Sequence, residues 1–316
     1  MNKTKKILLL KIALGIICFL FIWFKIKDQF SPEKKELFLS TLNNENALLL
    51  FMCTVALMLP NWLIESYKWQ LISSVIEKIN FASAIKGVFS GICIGNLTPG
   101  RMGEFAGKLI YFKPENRSKI TLTHFVCGST QLFVTVFTGL ISLLLFFNTK
   151  NTEPKFLLIS VIFSALAFAV LFFILFKTNS IYEWISKLKW LKKFQLGTVE
   201  YPRKIILLLI LLSVIRYFVF STQYIILLKT CGANASYFEL FVPVSISFML
   251  MSTIPMISFI EVAVRAGIAL VLFSNYISND LLIVSASSAL WLINIILPSI
   301  IGYFIILSTK IKLKHS

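Results

Sequence analysis

The stretch Asn96-Leu-Thr-Pro-Gly-Arg-Met-Gly-Glu104, with Lys108 one turn further, brings an amide, a guanidinium, a carboxylate and an ammonium into an otherwise apolar region. A second group, Glu261 and Arg265, stands inside another apolar segment. Each such charge costs about 2.5–3.5 kcal/mol at the centre of a lipid-facing helix, so it must face protein or a water-filled cavity. In a helix starting near Gly100, Arg101, Glu104 and Lys108 fall at i, i+3 and i+7 and share a face. Glu261 and Arg265, at i and i+4, share another. Arginine grips phosphate oxygens through a planar fork of donors. A cavity holding Arg101 and Arg265, with Lys108 and Arg216 as further cations and two carboxylates, suits an anionic headgroup. A second role fits the same residues: Arg101–Glu104 and Glu261–Arg265 as ion pairs that lock the chain and bind nothing.

These residues need elements that hold them at depth. The chain has 316 residues, of which 57% are hydrophobic and only 14% charged. Its mean hydropathy is +0.84, and apolar runs near the length needed to cross a bilayer recur throughout. The expected fold is all-α: one polytopic membrane domain over 1–316. About six full spans are expected, near 7–24, 47–66, 120–147, 156–176, 204–228 and 281–307. The first run follows Lys3, Lys5 and Lys6 and reads as an uncleaved span, since no small-residue cleavage site precedes Lys25. Segments 82–112 and 238–273 are too long and too interrupted for single helices. Pro99-Gly100 breaks one and Pro255 the other, because proline removes a donor and clashes with the preceding turn.

The lysines and arginines set the orientation. With the N-terminus cytoplasmic and both broken segments re-entrant, the outer loops keep only Lys25, Lys27, Lys34, Lys35, Lys150, Lys155 and Lys229 of the 31. Both termini are then cytoplasmic. Glu65 and Glu239 fall near membrane boundaries and read as solvated. The arrangement is an inverted repeat, the plan of many secondary transporters. The first unit covers about 47–147 and the second about 204–307, joined by an amphipathic linker over about 177–203. Within it, 181–194 carries an apolar stripe with lysines mostly off it, which suits a membrane surface or, better, a rigid elbow joining the two units. Residues 31–42 form a second amphipathic piece, opening on a Ser-Pro pair suited to a helix start.

Glycine supplies a further signal. Gly87, Gly91, Gly95, Gly103 and Gly107 recur every four residues, with Pro99 in the missing place. Small residues at this spacing let helices approach backbone to backbone. Gly100, after the proline, allows the chain to reverse.

Composition also sets other functions aside. The net charge of +17 is explained by basic loops against anionic headgroups, and no nucleic-acid partner is expected. The five cysteines have no CxxC spacing and the two histidines, His124 and His315, no HExxH, so neither a metal nor another cofactor is expected. His124 reads as a hydrogen-bonded core residue. No nucleophile or acid–base set appears, so catalysis is not expected.

The residues GNLTPGRMGEFAGKL (95–109) resemble a signature of the lysylphosphatidylglycerol synthase transmembrane region family, the flippase-like membrane proteins. IPMISFIEVAVRAGIALVLF (254–273) is similar to its second signature, with Met256, Ile257, Ser258 and Phe259 where many members carry glycines. The resemblance spans roughly 10–307. It implies the flipping half of such synthases: moving an anionic or aminoacylated phospholipid, or a polyprenyl-phosphate lipid, between leaflets of the bacterial inner membrane. A soluble aminoacyl-transferase domain is not expected in these 316 residues. By matching motif positions, Asn96, Pro99, Arg101, Gly103, Glu104, Glu261 and Arg265 carry over. The expected headgroup site is Asn96, Arg101, Glu104, Lys108, Glu261 and Arg265, with Pro99, Gly100, Gly103 and Pro255 as structural breaks. An alternative is a non-catalytic membrane partner that docks a separate lipid-modifying enzyme.

Overall fold

A computed structural model describes residues 45–96, 98, 101–149, 199–253 and 258–309, with isolated positions at 32, 36, 40, 162 and 166. The spans expected at 7–24 and 156–176, the pieces at 31–42 and 181–194, and Pro99, Gly100 and Pro255 lie outside the continuous described stretches. The described elements are helical, with no strand among them. They are α1 (Glu45–Ser73), α2 (Phe81–Asn96), α3 (Glu104–Leu109), α4 (Arg117–Thr149), α5 (Arg203–Thr230), α6 (Tyr237–Thr253), α7 (Ser258–Phe273), α8 (Asp280–Trp291) and α9 (Leu297–Ser308). A single π segment, Leu292–Ile296, joins α8 to α9. In hydrocarbon a backbone must satisfy its own polar groups, and helices do so within one segment.

Among the described residues, four helices are long and apolar enough to cross a membrane: Asn46–Ser73, Pro114–Phe147, Arg203–Thr230 and Asp280–Ser308. These match four of the expected spans. α2, of 16 residues, reaches only about 24 Å at 1.5 Å per residue, short of a hydrocarbon core of about 30 Å. The expected break after α2 is present, since no helix continues from Asn96 to Glu104, and the helices that follow α2 and α6 are unequal. α7 runs 16 residues, whereas α3 runs only 6.

The turn between α2 and α3 is built by Thr98. Its hydroxyl donates to the Gly95 carbonyl at 2.9 Å and accepts from the Gly103 backbone N–H at 2.7 Å. Arg101 sits here with φ of 56°. The left-handed region costs a side-chain-bearing residue about 1–2 kcal/mol. The helix expected from Gly100 therefore starts at Glu104, and Arg101 stands outside it.

Glycine closes the hairpin. A methyl group at Gly107 would collide with the Ser90 and Gly91 backbone, and one at Gly91 would lie 2.6 Å from the Glu104 carbonyl oxygen. At Gly103 it would meet Thr98 Cγ2 at 2.8 Å. Gly87 is different, since a methyl there meets nothing closer than 3.5 Å.

The two halves of the chain pack through one another. α1 runs along α5, α4 along α6, and α9 along α2. Gln223 Nε2 donates to the Thr54 carbonyl at 2.8 Å between α5 and α1. Thr130 and Ser213 hydroxyls meet at 3.1 Å between α4 and α5. Gly139 admits Met249 of α6, and Gly302 admits the Phe89 backbone of α2. Small residues and interhelical hydrogen bonds are the usual adhesives where lipid offers no hydrophobic drive.

The π segment has a local cause. Pro298 has no N–H and its ring crowds the carbonyl four residues back, which is Asn294; the wider turn relieves this. Asn294 there accepts from Asn61 Nδ2 at 2.9 Å, one residue past Pro60 in α1.

Gly107→Val is expected to abolish a monodisperse peak in mild detergent, or to lower the melting temperature by the equivalent of at least about 1–3 kcal/mol of overpacking. Gly87→Ala should melt as the parent does. A parent-like melt for Gly107→Val would exclude the close hairpin.

Candidate functional site

A cavity of about 500 Å³ opens where α1, α4, α5, α6, α7, the break after α2 and the π segment converge. Arg101, Arg216, Glu261 and Arg265 line it, together with Asn61, Gln131, Thr135, Ser252 and Asn294. Trp62, Tyr217, Phe220, Phe248, Met251 and Ile295 supply its apolar wall. Such a mix of apolar lining and a few convergent polar groups is typical of ligand sites of this size.

Glu261 is the hinge of the polar wall. Its Oε1 accepts from Arg265 Nη2 at 2.5 Å and Nε at 3.1 Å. The same oxygen lies 4.0 Å from Arg101 Nη2. The i, i+4 spacing along α7 explains the first pair. The second joins the break of one half to the helix of the other. Arg101 Nη2 and Arg216 Nε are buried and have no hydrogen-bond acceptor.

Behind the cavity lies a buried ion cluster. Glu65 takes Lys68 at 3.4 Å, Arg216 at 3.3 Å and Lys108 at 3.9 Å. Lys108 also pairs with Glu104 at 3.0 Å. Its ammonium lies 5.0 Å from the Trp69 ring centre and 3.2 Å from His124 Nδ1. An ammonium has no acceptor, so His124 Nδ1 accepts and its ring carries the proton on Nε2. Lys68 is wholly buried and Lys108 only 1% exposed. Arg216 belongs to both regions. It donates to Gln131 Oε1 at 3.3 Å, and its guanidinium lies 5.1 Å from the Trp62 ring centre.

The structure therefore divides the residues singled out in the sequence. Arg101, Glu261 and Arg265 meet in the cavity. Glu104 and Lys108 do not line it; they turn into the ion cluster because α3 starts too late to put them on Arg101's face. The pair expected between Arg101 and Glu104 is replaced by Arg101–Glu261 and Lys108–Glu104. Asn96 fastens α2 to the last helix, donating to the Ser299 hydroxyl and, at 3.5 Å, to the Ile295 carbonyl. Gly103 sits against Thr98 and Ile94 at the break. Glu239 is exposed, as expected near a boundary; Ser236 and Glu239 close a capping box at the start of α6.

Glu65 is the main correction. It is 7% exposed and shared by three cations, not solvated. Lys68 is buried beside it. A signal was available: Glu65 and Lys68 stand at i and i+3 between Trp62 and Trp69, which share their side of the helix. Among the described residues no group of His, Cys, Asp or Glu gathers as metal ligands.

The arrangement can hold an anion. Three guanidinium groups and a single carboxylate line the cavity, and two of the guanidinium nitrogens lack acceptors. Removing one member of a buried ion pair typically costs about 3–5 kcal/mol, because the other is left uncompensated. Glu65→Ala is thus expected to collapse the melting transition in detergent, while Glu239→Gln causes no comparable loss. Equal melts for the two variants would show that the cluster carries no stability.

Among curated proteins, none matches the chain. The family model of the lysylphosphatidylglycerol synthase TM region matches residues 8–302, nearly the whole sequence. With its apolar crossing helices and that match, the chain is a multi-pass membrane protein and belongs to the lysylphosphatidylglycerol synthase TM region family.

Proposed function

We propose that the protein moves a polar-headed lipid between the leaflets of the bacterial inner membrane. One observation carries this reading: Arg101, Arg216 and Arg265, from both halves of the chain, line one cavity whose Arg101 Nη2 and Arg216 Nε have no acceptor. Phosphate oxygens are the acceptors that such donors take, often through two parallel hydrogen bonds. The apolar wall of Trp62, Phe220, Phe248, Met251 and Ile295 suits the first methylenes below a headgroup. A cavity of about 500 Å³ takes a drug-sized ligand. The acyl chains then stay in the bilayer, and only the headgroup is sheltered. The reading requires no catalysis.

The same reading takes the halves as an inverted repeat, α1–α4 and α5–α9. Reciprocal packing supports it. The last long helix of each half lies along the first hairpin helix of the other, and one glycine seats each contact: Gly139 at Met249 and Gly302 at Phe89. α1 and α5 pack on each other between them. Alternating access would rock one half against the other around the cavity. The distribution of lysine and arginine favours cytoplasmic termini.

Arg101→Gln keeps a polar side chain and removes the charge. Hydrogen bonds to charged groups are worth about 1.5–3 kcal/mol. Lipid translocation in proteoliposomes is expected to fall by at least about tenfold, with the melt of the purified protein little changed. Unaltered flux from a folded variant would remove Arg101 from the transport path.

A further inference from the structure

The charges on the cavity wall do not balance. Three arginines line it, and Glu261 is the one carboxylate among its lining residues. Glu261 already faces two of them, Arg265 and Arg101. The nearby carboxylate of Glu65 lies behind Arg216 and is shared with Lys68 and Lys108. A ligand ammonium in the cavity would find its one lining carboxylate already engaged by two guanidinium groups.

The aromatic wall offers a cation little more. The face of Trp62 is taken by the Arg216 guanidinium, 5.1 Å from its centre. Phe220 and Phe248 stack on each other with centroids 4.6 Å apart. Cation recognition by rings needs an open face, and these contacts occupy one face of each ring. Meanwhile Arg101 Nη2 and Arg216 Nε remain as buried donors without acceptors. A lysyl ester adds two ammonium groups to a headgroup with one phosphodiester charge, and so makes it net cationic.

Building on the transport reading, we infer that the cavity selects headgroups of net negative charge and discriminates against aminoacylated ones, with Arg216 as the third phosphate-binding guanidinium. Glu65 and Gln131 hold Arg216 in place from behind. Like charges brought together at a site are a standard means of rejecting a wrong partner.

The test uses the purified full chain in detergent, with short-chain phosphatidylglycerol, its lysyl ester and glycerol phosphate as ligands. Binding is read from the shift in melting temperature with ligand concentration. Phosphatidylglycerol should bind at least about tenfold tighter than its lysyl ester, with an affinity that falls as salt rises. Arg216→Gln should shrink that ratio to about threefold or less. Equal or tighter binding of the lysyl ester overturns the inference and leaves the transport reading standing. If Arg216→Gln folds and keeps the parent ratio, Arg216 is not the third ligand; if it does not fold, the parent ratio alone decides the selectivity. Glycerol phosphate binding as tightly as the lipid would mark the ligand as a soluble anion. That result, or no binding by either lipid together with no flux in proteoliposomes, removes the transport reading and this inference with it.

Discussion

Glu65 holds three cations from three elements, and much of the site depends on that one carboxylate. Lys68 belongs to its own helix, Lys108 to the short α3 and Arg216 to α5. Charges withdrawn from water are tolerated only when paired. The cluster therefore ties the first hairpin and α5 to α1. It also sets where the Arg216 guanidinium emerges on the cavity wall. Glu104 supports the arrangement from the side by sharing Lys108.

The cavity has a second anchor, Glu261, among its lining residues. Glu261 keeps Arg265 along its own helix and draws in Arg101 from the break after α2. The hairpin bearing Arg101 is narrow because glycines let α2 and α3 touch backbones. Thr98 then directs the turn through hydrogen bonds to both helices. Electrostatics and close packing thus act on the same few residues: packing fixes the height of Arg101, and the carboxylate fixes its direction. The structure accepts a disfavoured backbone at Arg101 to do so.

Much of this could be read from the chain, and the failures have physical causes. Proline within long apolar runs pointed to broken helices, and α2 does end at Asn96, with the next helix beginning only at Glu104. The four-residue glycine spacing pointed to backbone contact, which Gly91 and Gly107 make. That Arg101, Glu261 and Arg265 share a cavity was foreseeable because isolated charges in hydrocarbon must meet water or one another. The fate of Lys108 and Glu104 was not, since it depends on where α3 begins, and one turn of difference moves a side chain to another wall. Glu65 was misjudged because its partners, Lys108 and Arg216, are remote in the chain. Hydropathy places it at the end of a run and says nothing of what packs against that end.

The π segment before Pro298 has a consequence for the last crossing helix. One extra residue in a helical turn rotates all that follows by about 100°, from 3.6 residues per turn. The helix consequently has two angular phases. Within the irregular turn, Asn294 points to Asn61 and the cavity. After it, Ser299 and Gly302 point to α2, at Asn96 and Phe89. No straight helix with a single apolar stripe serves both neighbours, so the irregular turn acts as a coupling that lets one rod mesh with two differently oriented surfaces.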